Sequence, residues 1–457
     1  MVREKSFYKS LFKIALPAAF QSLISLLVVL IDNIMVTSLD PQGVTLAAVS
    51  QSNALTTFYT AIIMGLTSGS SVLIAQYWGK RDTARIKQIF SIVLILCLSI
   101  TLIVVTLISL FPRFFLQATV SGGSADMMQI AVDYFSLLCL SYIPFALSAP
   151  LVGMLRSVEV VNVTLFTSAA SLATNAFFNY VLIFGHMGFP AMGVRGAAIA
   201  TILARVLECV IVWIYTFKIQ KNLTIRLKDL LKSERWLWAD YVRYGLPVGI
   251  GDTQWALIGF LKAAIVKYMG PVYISANAIT TDILNLGWVF TSALAGGACV
   301  VIGKTVGTGD YAKTRQYSNT IQILFACIGI VIAGAMILFR GAFIGIYGIE
   351  NPEVIHLAGT IIFIGALTTI GTSYHAACFI GINRGAGDSR FVMVVDMICG
   401  WLVILPACFL AAFVFKSPPA VFFLCTRIDQ CFKWLIAFLR LRGNRWIRNV
   451  TRGESPA

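Results

Sequence analysis

Asp32 stands alone in its stretch. In "IALPAAFQSLISLLVVLIDNIMVTSL", Ile14 to Leu39, it is the sole ionisable side chain. As a helix the stretch would rise about 39 Å, enough to cross a hydrocarbon core of about 30 Å with tilt. A central carboxylate costs about 2.5–3.5 kcal/mol on insertion scales, so one that is kept there faces a protein cavity and has a task. The task open to a lone carboxylate is to hold and release a cation, H⁺ or Na⁺. The plainer alternative is a hydrogen bond to a Ser or Thr of a neighbouring helix that only fixes packing. A second set centres on Lys262 in "ALIGFLKAAIVKYMG", with Asp252, Asp282 and Asp396 as candidate partners. Such a network can respond to a bound charge; the alternative is a lysine that snorkels to an interface. Arg205 and Glu208, three apart, and Asp429 and Lys433, four apart, are spaced for local ion pairs. Trp255 and Trp288, and less so Phe260 and Phe290, offer faces on which a planar cation can stack.

The elements that must position these groups follow from composition. Of 457 residues 58% are hydrophobic and 12% are charged, against about 25% charged in soluble domains. The chain therefore reads as an all-α, polytopic membrane protein. Its net charge of +15 does not point to nucleic acid, because the charges flank apolar runs. Ten cysteines lie mostly inside such runs without CxxC or Cys/His ligand spacing, which implies neither a disulfide framework nor a metal site. "GKTVGTGD" falls short of GxxxxGK[ST] opening a helix after a strand. With no nucleotide-binding domain, catalytic cluster or cofactor motif, the expectation is a protein that is not an enzyme and is driven by an ion gradient. No signal peptide is expected, since the first apolar run is too long for one.

Hydropathy and breakers give twelve candidate helices. They lie near 12–38, 46–76, 89–111, 127–154, 162–184 and 194–217, then near 241–268, 272–302, 317–339, 354–382, 391–415 and 418–439. The 35 Lys and Arg concentrate in alternate connections, which places both termini in the cytoplasm of a bacterial inner membrane by the positive-inside rule. The expected domains are an N-lobe over 1–218, a cytoplasmic amphipathic linker over 219–240, a C-lobe over 241–440 and a basic tail over 441–457. The linker suits anionic lipid. Its Asn222-Leu-Thr sequon has no meaning on the cytoplasmic side.

The two lobes repeat each other. Without a gap, "LPAAFQSLISLLVVLIDNIMVTSLDPQGVTLAAVS" lies over "LPVGIGDTQWALIGFLKAAIVKYMGPVYISANAIT", so that Pro17 meets Pro247, Pro41 meets Pro271 and Asp32 meets Lys262. After two lost residues Gly79 meets Gly307 and Asp82 meets Asp310, and further on Arg156 meets Arg384. Six helices per half start both halves on the same side, a parallel repeat, and transporters built so bind cargo between halves and rock one against the other.

Over nearly its whole length the chain resembles the multidrug and toxic compound extrusion (MATE) family. The residues that carry the resemblance are "LPAAFQSLISLLVVLIDNIMVTSL", "GSSVLIAQYWGKRD", "NAFFNYVLIFGHMGFPAMGVRGAAIAT" and "GINRGAGDSR". The resemblance implies a monomeric secondary antiporter with two six-helix lobes, exchanging H⁺ or Na⁺ for amphipathic, mostly cationic organic compounds. It makes Asp32 the ion or proton site and Pro17 the bend of the first helix. Many members carry an Asn and then an Asp on the fifth helix; here the pair is Asn175 and Asn179, so one carboxylate is missing. Four apart, both face one way, and their carbonyl oxygens can accept a bond from protonated Asp32 or help hold Na⁺, with H⁺ preferred. Flippases of lipid-linked precursors share this architecture and form the alternative reading; they would need a cavity lined by several Arg and Lys.

Overall fold

The computed structural model describes residues 2, 4–37, 44–117, 125–220, 223–226, 233–349, 351–443 and 445–452. Leu39, Pro41, Asn222 and parts of the expected linker and tail lie outside the described residues. Those described form helices and no strands. Lipid offers no partner to a backbone N–H or C=O, and a helix satisfies them within its own segment.

Each of the twelve expected segments falls on a helix. They are α1 Lys5–Thr37, α2 Val44–Gly79, α3 Thr83–Leu110, α4 Asp126–Ser157, α5 Asn162–Phe184 and α6 Val194–Ile219. The second series is α7 Leu246–Val266, α8 Pro271–Gly307, α9 Tyr311–Leu338, α10 Pro352–Asn383, α11 Ser389–Val414 and a broken α12, Pro419–Cys425 then Lys433–Arg442. Nine of these are long and apolar enough to cross a membrane by composition alone. The other three, α5, α7 and α12, are diluted by Asn175 and Asn179, by Asp252 and Lys262, and by a turn at Ile428–Cys431. Asp32 and Asp396, by contrast, lie on strongly apolar helices, α1 and α11.

By contact the chain forms two compact units. The N-unit comprises Phe20–Ile74 and Asp82–Val242; the C-unit comprises Met1–Ala19, Ala75–Arg81 and Arg243–Ala457. The start of α1 and the end of α2 therefore count with the second half, whereas the sequence suggests a division at 219–240. The helix α1 runs through Pro17 without interruption. A proline there supplies no N–H to the turn before it.

The sequence repeat reappears as repeated local structure. Asp82 caps α3 by accepting from the Arg85 backbone N–H at 3.1 Å, and its repeat mate Asp310 caps α9 by accepting from that of Lys313 at 2.9 Å. Such caps satisfy donors that the first turn leaves free. In the C-unit the ends of α2 and α8 meet at mated residues. A Cβ on Gly79 would strike the Lys304 carbonyl, and one on Gly307 the Gln76 carbonyl. Gly307→Val should therefore lower the melting temperature of the purified protein, since forced overpacking costs about 1–3 kcal/mol; an unchanged melt would show that the crossing yields freely.

Described parts of the linker and the tail pack against the helices. In the linker Leu223 and Ile225 are buried, Lys87 of α3 donates to the Thr224 carbonyl at 2.9 Å, and Arg85 lies over Trp236 at 5.5 Å. In the tail Trp446 and Val450 are buried. Gln76 fixes that tail. Its amide donates to the Gly385 and Arg448 carbonyls at 3.1 and 3.2 Å and accepts from the Val450 N–H at 2.8 Å.

Candidate ion site and two polar cavities

The N-unit holds Asp32. It sits on α1, half-buried, and accepts a short hydrogen bond from the side-chain amide of Asn179 on α5. Asn179 also donates to Asn175 Oδ1 at 3.3 Å, and Asn175 donates to Thr201 Oγ1 on α6 at 3.4 Å. The i, i+4 spacing on α5 thus brings the expected trio together, and both asparagines are fully buried. Asn179 Oδ1 is buried without a hydrogen-bond donor. A buried acceptor left so is costly, and beside a carboxylate it is an oxygen ready for a cation or a donated O–H.

Asn175 also lines a cavity of about 340 Å³ within the N-unit, together with Gln21, Ser68, Arg156, Arg205 and Glu208. The local pair expected for Arg205 and Glu208 is present at 2.8 Å, with Arg205 also 4.9 Å from the Phe145 ring. Arg156 donates to Gln21 Oε1 at 2.8 Å.

The C-unit has its own cavity, of about 530 Å³, lined by Asp252, Trp255, Lys262, Trp288 and Asp396 among others. Asp282 is absent from that lining; it is exposed and accepts from the Tyr347 hydroxyl at 3.0 Å. Phe260 and Phe290 are exposed and outside the lining as well.

The pairing expected for Lys262 is corrected here. Each candidate carboxylate is taken by another donor: Asp252 by Arg384 at 2.7 Å, Asp282 by Tyr347, and Asp396 by Lys433 at 2.5 Å. Lys433 also reaches Asp429 at 3.7 Å, so the expected local pair exists but is the longer of two contacts. The break in α12 accounts for this, because it leaves Lys433, Asp396 and Asp429 all buried around one point. Lys433 lies 4.8 Å from the Trp255 ring and 5.5 Å from that of Phe379. Of the faces expected to stack on a cationic cargo, that of Trp255 already has an internal cation.

Three further groups take on structural roles that spacing alone does not assign. Arg384 was placed over Arg156 by the repeat, and that was its signal. Both donate to the first helix of their own unit, at neighbouring repeat positions, Gln21 in one and Asp252 in the other. Arg427 donates to Thr368 Oγ1 at 2.7 Å and Thr372 Oγ1 at 3.1 Å, and His375 is buried with Nδ1 unpartnered. Neither has a signal in spacing, for both depend on the break in α12 and on wide, π-type turning over Ala377–Asn383. Similar turning over Ile398–Ile404 precedes Pro406, which has no N–H to give the preceding turn.

Comparison with known proteins places the architecture. The MatE family model matches residues 17–181 and 249–410, once in each half of the repeat. The chain is 25% identical over 426 residues to an uncharacterized transporter, YisQ, of Bacillus subtilis strain 168, covering 91% of this chain and 90% of that one. It is 23% identical over 398 residues to a probable multidrug resistance protein NorM of Idiomarina loihiensis, covering 87% and 85%. A MATE crystal structure in the bent conformation superposes with a TM-score of 0.84 over 95% of each chain at 18% identity. Twelve helices in two six-helix lobes, the doubled family match and the shared fold identify one lineage: this chain belongs to the MATE family of multi-pass membrane efflux transporters, and it is not an enzyme.

Proposed function

We propose that the protein is a secondary antiporter that expels amphipathic organic compounds in exchange for a cation held at Asp32, by rocking of its two lobes. The observation that carries this reading is the trio Asp32, Asn179 and Asn175, with the Asn179 Oδ1 buried and unsatisfied beside the carboxylate. One carboxylate and neutral oxygens can hold a proton shared between oxygens, or Na⁺ with oxygen donors. A proton is the better fit, because the missing second carboxylate leaves a single negative charge, which one H⁺ neutralises without a coordination shell. Both termini lie in the cytoplasm of an inner membrane, a reading supported by the spread of Lys and Arg between helices. The protein works as a monomer surrounded by lipid.

Cationic compounds are the cargo that the resemblance implies, and relatives named multidrug resistance proteins support export of drug-like molecules. The test is ethidium efflux in vesicles driven by an imposed pH gradient or an imposed Na⁺ gradient, one at a time. Efflux under the pH gradient alone is expected. Efflux under Na⁺ alone would move the coupling to Na⁺, and efflux under neither would remove the antiporter reading. The flippase reading stays second, favoured by four basic side chains around the C-unit cavity, Lys262, Arg384, Arg427 and Lys433; a cell-wall defect with no efflux would bring it forward.

A further inference from the structure

We infer that the C-unit cavity contains a subsite for the anionic group of an amphiphile, a carboxylate, sulfonate or phosphate, bound by Lys262 and Arg427. This deepens the export reading by naming a substrate class, and it rests on that reading only for the direction of transport.

The charges around the cavity do not balance locally. Its lining includes four basic side chains and three acidic ones, Asp252, Asp396 and Asp429. Asp252 is held by Arg384, while Asp396 and Asp429 both turn to Lys433. Asp429 is further tied by the Gln430 amide at 2.6 Å. Among the described residues Lys262 makes no hydrogen bond or ion pair, and the hydrogen bonds of the Arg427 side chain go to two threonine hydroxyls. Both cations line the same cavity, repel each other and share the attraction of Asp429, whose carboxylate is already tied to Lys433 and Gln430. Burying charge is expensive, and with four basic groups against three carboxylates, one of them shared among Lys433, Lys262 and Arg427, the chamber asks for a further anion.

The geometry of Arg427 suits that role. Nε and one Nη are spent on Thr368 and Thr372, which fix the plane of the guanidinium and leave its other donors for an oxyanion. Trp255 and Trp288 supply apolar surface in the same chamber, whose volume of about 530 Å³ falls in the range of small-molecule sites. A cationic group finds less: Lys433 already lies against the Trp255 and Phe379 rings, and each carboxylate of the lining has a basic partner.

The test is isothermal titration calorimetry of the full-length protein, without any gradient, in uncharged detergent. The probes are naphthalene-2-sulfonate and its opposite-charge analogue, 2-naphthyltrimethylammonium. The sulfonate should bind and the ammonium should not displace it. Lys262→Met and Arg427→Gln should each weaken the sulfonate by about tenfold or more, the loss of one charge-assisted contact. Lys262→Met breaks no bond of the fold, and Arg427→Gln keeps a donor for the threonines, so melting temperatures near wild type are expected for both. Equal affinity in both variants, preference for the ammonium, or no sulfonate binding would overturn the proposal. In the Asp32→Asn background the sulfonate should still bind in preference to the ammonium, so failure of the ion-coupling reading leaves this measurement intact. Repeating the titration in nanodiscs with phosphatidylglycerol separates the sources. Competition that Lys262→Met abolishes identifies a lipid headgroup as the anion, and its absence identifies a soluble cargo.

Discussion

Asp32→Asn is expected to abolish gradient-driven ethidium efflux while leaving the protein inserted and folded. The substitution preserves shape and can still accept from Asn179, so the contact between α1 and α5 survives. What it removes is the charge. A hydrogen bond to a charged group contributes about 1.5–3 kcal/mol, so the loss in affinity for the coupled cation is roughly 10- to 150-fold. An amide cannot carry a proton through the cycle at all, and coupling to H⁺ ends outright. Asn179→Leu tests the same site from the other side. It keeps the carboxylate but removes both its donor and the unsatisfied Oδ1, so slower efflux with a shifted pH profile is expected. Undiminished efflux by Asp32→Asn, at wild-type protein levels, would remove the ion site from this position.

Lys433→Met is expected to give the largest loss of stability of any single change in the C-unit. Lys433 is 1% exposed, with Asp396 at 4% and Asp429 at 1%. Without the ammonium group Asp396 and Asp429 stay buried and lose the ion-pair partner they share. Removing one partner of a buried ion pair costs about 3–5 kcal/mol. For a lobe of this size that is roughly 6 °C or more in melting temperature, measured on purified protein in detergent and mirrored by low expression. The reason lies in the uncompensated charge rather than in lost packing, since Met fills a similar volume. The triple variant Lys433→Met, Asp396→Asn, Asp429→Asn should therefore recover much of the loss. A triple variant as unstable as the single one would show that packing against Trp255 and Phe379, and not charge, holds this corner.

The two units treat equivalent positions differently. On α1 the repeat position holds a carboxylate that bonds neutral amides; on α7 it holds Lys262, which bonds nothing described. Arg156 finds a neutral glutamine where Arg384 finds a carboxylate. One scaffold, duplicated, has thus diverged into a unit whose carboxylate meets neutral amides and a unit rich in ionic groups.

Much of this was legible in the chain itself. The helices could be read because a membrane segment has to satisfy its own backbone, and length and apolarity then mark it. The parallel repeat could be read because duplicated segments keep their prolines, glycines and caps: Asp82 and Asp310 were aligned as letters and proved to be the same cap. Asp32 announced itself by its cost in lipid, and the family resemblance pointed to Asn175 and Asn179, whose spacing of four puts both on one face of a helix. The pairing of Lys262 could not be read, because Asp252, Asp282 and Asp396 are equally plausible by composition. Which donor takes each one depends on residues far along the chain, Arg384, Tyr347 and Lys433. Nor did any pattern announce the break in α12 that buries Lys433 or the threonine clamp on Arg427. The sequence by itself determined the class, the helices, the repeat and the residue that cannot be idle in a membrane. Only the tertiary structure decided which charges neutralise each other and which are left over, because a Coulomb contact or hydrogen bond acts over a few ångströms, and separation along the chain does not set that distance.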